Sequence, residues 1–185
     1  MSRINSWGLL DYDPTEVREF AILPKEPGSA ESNFERFIPV GAGRSYGDVG
    51  LNPRGLGVST ARLNRMLSFD EELGVLECES GVTIRDIQSV FSSRGWISPV
   101  SPGTSFVTVG GAIANDVHGK NHYSMGSFGN HVLEIVLSRT NGEVVFCSDT
   151  ENPEMFAATI GGLGLTGVIL SAKIKLSKIH SPWVR

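Results

Sequence analysis

Cysteine is nearly absent from this chain: Cys78 and Cys147 are the only two in 185 residues. Each lies inside an apolar, strand-like run, so both read as core thiols, and a disulfide framework is excluded in favour of a reducing compartment. No run of Lys and Arg occurs, and the formal net charge is -4, which argues against a nucleic-acid partner. From Met1 to Leu10 there is no apolar stretch long enough for a signal peptide or a membrane span, and the expected location is cytoplasmic. Histidine is scarce as well, with none before His118. Internal repeats and low-complexity segments are missing.

What is present is glycine, 22 copies, most of them in a few clusters where the backbone must turn sharply or approach something closely. An apolar fraction of 40% and a charged fraction of 19% are those of an ordinary globular domain able to build a core without disulfides. The first residues carry Pro14, Pro24 and Pro27 with little periodicity and predict an irregular arm with one short helix after Asp13-Pro14. Ile38 to Val40 and Leu56 to Ser59 are short strand signals. Leu76 and Cys78 alternate with Glu77 and Glu79, the period of a half-buried strand. Thr83 then caps a helix whose inner face is Ile84, Ile87, Val90 and Phe91, ended by Gly95. Val132 to Ser138 and Glu143 to Ser148 flank Asn141-Gly142, which predicts a type I′ hairpin. Asn152-Pro153 caps a short helix over Glu154 to Ile160. Leu170, Ala172, Ile174 and Leu176 mark a last amphipathic strand. Short strands, hairpins and isolated helices in this order predict an α+β fold rather than a doubly wound parallel sheet.

Three glycine clusters stand at the ends of these elements. The first, Gly41-Ala42-Gly43-Arg44-Ser45-Tyr46-Gly47-Asp48, follows a strand, but its spacing and the lack of a following helix exclude a Rossmann fingerprint. It keeps a loop rich in backbone N–H groups, suited to phosphate oxygens. The second runs from Thr108, Val109, Gly110 and Gly111 to Asn115 and Asp116, with small side chains that let a ligand reach the backbone. The third spans Gly161 to Gly167. Each alone reads as a structural turn; together they point to a long ligand carrying a pyrophosphate. His118, Lys120, His122 and His131 crowd the stretch after the second cluster. Zinc bound by His118 and His122 would need a helix across Gly119 and Asn121, and no further ligand has metal spacing, so no metal site is assigned.

Taken in order, these residues resemble the PCMH-type FAD-binding domain of the vanillyl-alcohol oxidase superfamily. Within it they are similar to the decaprenylphosphoryl-β-D-ribose 2′-oxidase-like FAD-linked oxidases. Gly41 to Asp48, Pro102-Gly103-Thr104 with Val107 to Asp116, Val117-His118-Gly119-Lys120-Asn121-His122, Gly126 to His131 and Gly164 to Gly167 carry the resemblance. It implies two α+β lobes over residues 36–178 clasping FAD, an arm over 1–35, and at 179–185 the start of a substrate or cap domain that the chain stops short of. It further implies that Gly41 to Asp48 and Thr108 to Gly111 hold the pyrophosphate. Gly103, Ile169 and the run Asn115, Asp116, Val117 and His118 complete the cofactor contacts. His118 and Lys120 are expected on the substrate side of the isoalloxazine as catalytic groups. Many superfamily members have a flavin-linked histidine where Arg44 stands here, which implies non-covalent FAD.

The expected reaction is oxidation of a sugar CH–OH by hydride transfer to flavin N5, on a lipid-linked or free sugar in cell-wall or glycolipid metabolism. A partner keto-reductase and a membrane-surface association of the full-length enzyme go with that reading; alone, the piece is expected to be inactive. An aldonolactone or alditol oxidase, and a non-catalytic nucleotide-binding domain, are the alternatives.

Overall fold

The structure, a computed structural model, describes residues 2–4, 15–19, 37–53 and 55–181. One sheet joins β1 (Ser2–Ile4), β2 (Thr15–Glu19), β3 (Phe37–Val40) and β4 (Leu56–Ser59) in the order β1-β2-β4-β3. Within it β4 runs parallel to β2 and β3, and β1 antiparallel to β2. Here the sequence expectation fails: Thr15–Glu19 is a strand and not the helix expected after Asp13-Pro14. The reason is a period of two, with Thr15 and Val17 buried between exposed Glu16 and Arg18, over two β-branched residues that favour a pleated surface. Residues 2–4 of the arm form β1, against the irregular course expected; the remaining residues of the arm, and Pro182-Trp183, lie outside the described residues.

The second sheet is antiparallel throughout. It contains β5 (Met66–Asp70) and β6 (Val75–Glu79), and later in the chain β8 (Val132–Ser138), β9 (Val144–Ser148) and β10 (Val168–Lys175), in the order β5-β6-β10-β8-β9. A ribbon of β7 (Trp96–Ile97) and β11 (Ser177–Lys178) stands apart. Two helices, α1 (Ile84–Phe91) and α2 (Val109–Ala114), pack into one core with this sheet: Ile84, Ile87, Phe91, Val109 and Ile113 are buried with Leu76, Ile135, Leu137 and Ile174. Strands and helices succeed one another as an α+β fold, the class expected.

Three local expectations are corrected. Val90, assigned to the inner face of α1, is 44% exposed. The buried stripe is Ile84, Ile87 and Phe91, and Val90 sits about a third of a turn away from it. The β8–β9 hairpin closes by a Gly142 N–H to Arg139 O bond of 3.0 Å. Gly142 has φ +82 while Asn141 does not enter the left-handed region, so the turn is a three-residue loop and not type I′. Asn152 precedes α4 (Pro153–Thr159) as expected, yet its side chain does not cap the helix. At φ +49 it instead sends its amide to Phe146 O at 2.8 Å, tying α4 to β9. A single turn, α3 (His122–Met125), carries no amphipathic pattern that sequence reading could find.

Candidate cofactor cleft

The glycine clusters meet. The first begins at the end of β3, where Gly43 and Gly47 adopt φ +62 and +65, a conformation that costs glycine little. The second begins at Thr108, whose Oγ1 accepts the Gly111 N–H at 3.2 Å. A Cβ on Gly41 would run into that same Oγ1, so glycine is what lets the two loops touch. Gly110 donates its N–H to Ser80 O at 2.8 Å, and a Cβ there would come within 2.8 Å of Ser80 Cβ. The second cluster is thereby seated on the end of β6. In the third, Gly164 lies against Pro39 of β3, with 2.9 Å left between an added Cβ and Pro39 Cδ.

Between these loops opens a cleft of about 700 Å³, within the range of about 300–1,000 Å³ common to cofactor and small-molecule sites. Of the residues expected to hold cofactor, Gly41 to Gly47, Gly103, Thr108, Gly110, Gly111, Asn115, Val117, His118 and Ile169 border it. Asp48, Val109, Asp116 and Lys120 do not. Val109 is fully buried in the core. Asp48 turns the loop through a 2.8 Å bond from Leu51 N–H to its carbonyl. At φ +41, Asp116 accepts the Gly129 N–H on Oδ1 at 2.8 Å and so fastens the end of the second cluster to the turn that follows α3. Lys120 is exposed.

Thr60, Ser80, Val107, Leu163, Gly164 and Gly167 also border the cleft. The third glycine cluster is the signal for the last two. Thr60 and Ser80 have none, since a small hydroxyl residue just past a strand fits any surface turn.

Unengaged donors line part of the cleft. The N–H groups of residues 42–45 meet no backbone acceptor among the described residues. Ser80 Oγ is buried and without a partner. Glu79, next in sequence to the cleft-bordering Ser80, is neutralised by Arg65. Its Oε1 accepts Nε at 3.0 Å and Nη2 at 2.6 Å, and its Oε2 accepts the Arg65 backbone N–H at 2.8 Å. Burial alone would raise the Glu79 pKa, but the hydrogen bonds from Arg65 and its charge outweigh burial and hold the carboxyl below its usual value. Arg44, on the cleft wall, and Arg85 lie 5.6 Å and 5.0 Å from the Phe106 ring centroid. Burial, reinforced by Glu77 and Glu79, pushes the Cys78 thiol up to about 12, which leaves no nucleophile there.

His118 and His122 come together although no helix joins them. Their ring centroids are 5.3 Å apart at 61°, because His118 forms a bridge with Ser127 while His122 opens α3. Among the described residues no group of three His, Cys, Asp or Glu side chains is gathered around a common point.

Residues 29–148 match the protein family described as FAD binding domain. The chain belongs to this family. Proteins similar to it include decaprenylphosphoryl-β-D-ribose oxidase of Mycolicibacterium smegmatis, 43% identical over 156 residues, covering 84% of this chain and 34% of the relative. L-Gulonolactone oxidase of Mus musculus is 29% identical over 169 residues, 89% of this chain and 36% of the relative. The chain therefore spans about a third of the length of these relatives. The residues of this FAD-binding domain fit the cofactor: glycine-rich loops permit close approach, and unengaged donors suit a group whose phosphates only accept. No described helix is long and apolar enough to cross a membrane.

Proposed function

We propose that this chain is the FAD-binding part of an oxidoreductase that removes hydride from a sugar CH–OH, with a polyprenylphosphoryl-β-D-ribose as substrate. The observation that carries this reading is the 43% identity to decaprenylphosphoryl-β-D-ribose oxidase over 84% of the chain. When bound, FAD supplies the hydride acceptor. The glycine loops, Gly41 to Gly47 with Thr108 to Gly111, hold its pyrophosphate by backbone N–H groups, and Gly103, Asn115, Val117 and Ile169 border the remainder. His118, on the cleft wall, orients the sugar hydroxyl. Lys120, exposed on the same loop, brings an ammonium that favours negative charge developing beside the substrate.

The cofactor is non-covalent in this reading, because Arg44 stands in the first loop and the chain has no histidine before His118. The oxidised sugar passes to a reductase, and the work is done in the cytoplasm at a membrane surface where a lipid-linked substrate resides. A second reading, an aldonolactone oxidase, is favoured by the 29% identity to L-gulonolactone oxidase over 89% of the chain.

One experiment separates them. The protein carrying this chain is loaded with FAD and mixed without oxygen with decaprenylphosphoryl-ribose or with L-gulonolactone. Loss of the visible flavin band with the lipid-linked pentose alone supports the first reading, and loss with the lactone alone supports the second. Lys120→Ala should slow the productive case, and acid precipitation should release all of the flavin into the supernatant. Flavin retained in the pellet would overturn the non-covalent assignment.

A further inference from the structure

Among the described residues, Ser80 Oγ is the one buried side-chain polar atom with no hydrogen-bond partner. The residue is 1% exposed, directly follows β6, and borders the cleft. Its backbone is fixed on both sides, with the N–H donating to Leu170 O at 2.9 Å and the carbonyl accepting the Gly110 N–H at 2.8 Å. Buried hydroxyls are nearly always paired, since leaving one unpaired costs about 1–3 kcal/mol. An orphan at the edge of a cleft is therefore a place where a partner arrives with the ligand.

The surroundings say what kind of partner. Thr108, 4% exposed, spends an Oγ1 lone pair on Gly111 N–H and keeps its own proton to donate. The N–H groups of residues 42–45 have no backbone acceptor among the described residues. Unengaged donors are complementary to a group that can only accept, and phosphate oxygens are such a group. We infer that Ser80 Oγ donates a hydrogen bond to a phosphate oxygen of the bound dinucleotide. This rests on the FAD reading and adds to it a side-chain contact that the glycine patterns do not contain.

The test pairs Ser80→Ala with Ser98→Ala. Ser98 is also buried, but its Oγ donates to Val100 O at 2.8 Å and it lies away from the cleft. Each variant and the unaltered chain are titrated with FAD and with ADP by calorimetry, and melted without ligand. Ser80→Ala should bind both ligands about ten-fold more weakly, the loss of one charge-assisted bond. Its ligand-free melting temperature should be unchanged or raised, because an unpaired hydroxyl has been removed. Ser98→Ala should do the reverse, melting lower with both affinities kept.

Unchanged affinity in Ser80→Ala would overturn the contact and leave the hydroxyl to a bound water. Weaker FAD with unchanged ADP would place it away from the phosphates. Weaker binding together with a lowered ligand-free melting temperature would make Ser80 structural. Failure of the unaltered chain to bind either ligand would overturn the FAD reading itself, and that result is seen before any substitution is made.

Discussion

At the scale of single residues, two carboxylates next to the cleft do opposite jobs. Asp116 takes a backbone N–H and holds a loop in a left-handed turn. Glu79, beside the cleft-bordering Ser80, is gripped by three donors from Arg65. Its side chain is 8% exposed against 76% for Arg65, so the Glu79 end carries the cost of rupture. Glu79→Gln should destabilise the chain by about 1–2 kcal/mol near neutral pH, measured by urea unfolding. Because the folded carboxyl titrates below its unfolded value, this contribution is complete above the unfolded value of about 4.3 and is lost as pH falls through the folded one. The stability gap between parent and variant should therefore narrow as pH falls from the unfolded value through the lower, folded one. A gap independent of pH would show that charge is not its source.

Elements are held in register by their ends. Thr83 and Asp86 form a reciprocal cap on α1. Asp86 N–H donates to Thr83 Oγ1 at 3.1 Å, and Asp86 Oδ2 accepts from Thr83 N at 3.0 Å. Thr83 also bridges to Thr108, so the cap of one helix abuts the cap of the next. Thr83→Ala should cost about 1 kcal/mol of stability, and amide exchange should quicken in the first turn of α1 before it does in β10. Equal quickening everywhere would mean that the cap acts only on global unfolding. The elements legible in the sequence were those with their own signal: α1 from its cap and apolar spacing, β6 and β10 from alternation, β8 and β9 from the intervening turn. Thr15–Glu19 went unread because Pro14 at its head resembles a helix start, and the partners that make it a strand lie about forty residues on in β4.

Across the whole molecule, one core ties the second sheet to both helices, and both cysteines lie inside it, Cys78 at 0% and Cys147 at 1% exposure. Burial raises both thiols, Cys78 to about 12, so neither is ionised in the folded chain at neutral pH. Alkylation of the two should proceed together, at a rate set by global unfolding, and slow further when FAD is added, since a ligand of the native state stabilises it by about 2.7 kcal/mol at a hundred times its dissociation constant. Fast modification of one thiol alone would reveal a local opening of its strand.

By itself the sequence determined the α+β class, the glycine loops that can approach a ligand and the family to which they belong, because each rests on local properties: propensity, period and the lack of a side chain. Tertiary structure decided which of those loops meet. Only folding brings Gly41 against Thr108, sets Gly110 on Ser80, pairs His118 with His122, and turns Val109, Asp116 and Asp48 away from the cleft. Apart from the histidine pair, such contacts join positions tens of residues apart, and nothing in either segment encodes the partner; they exist because burying one apolar core leaves the polar loop ends few places to go.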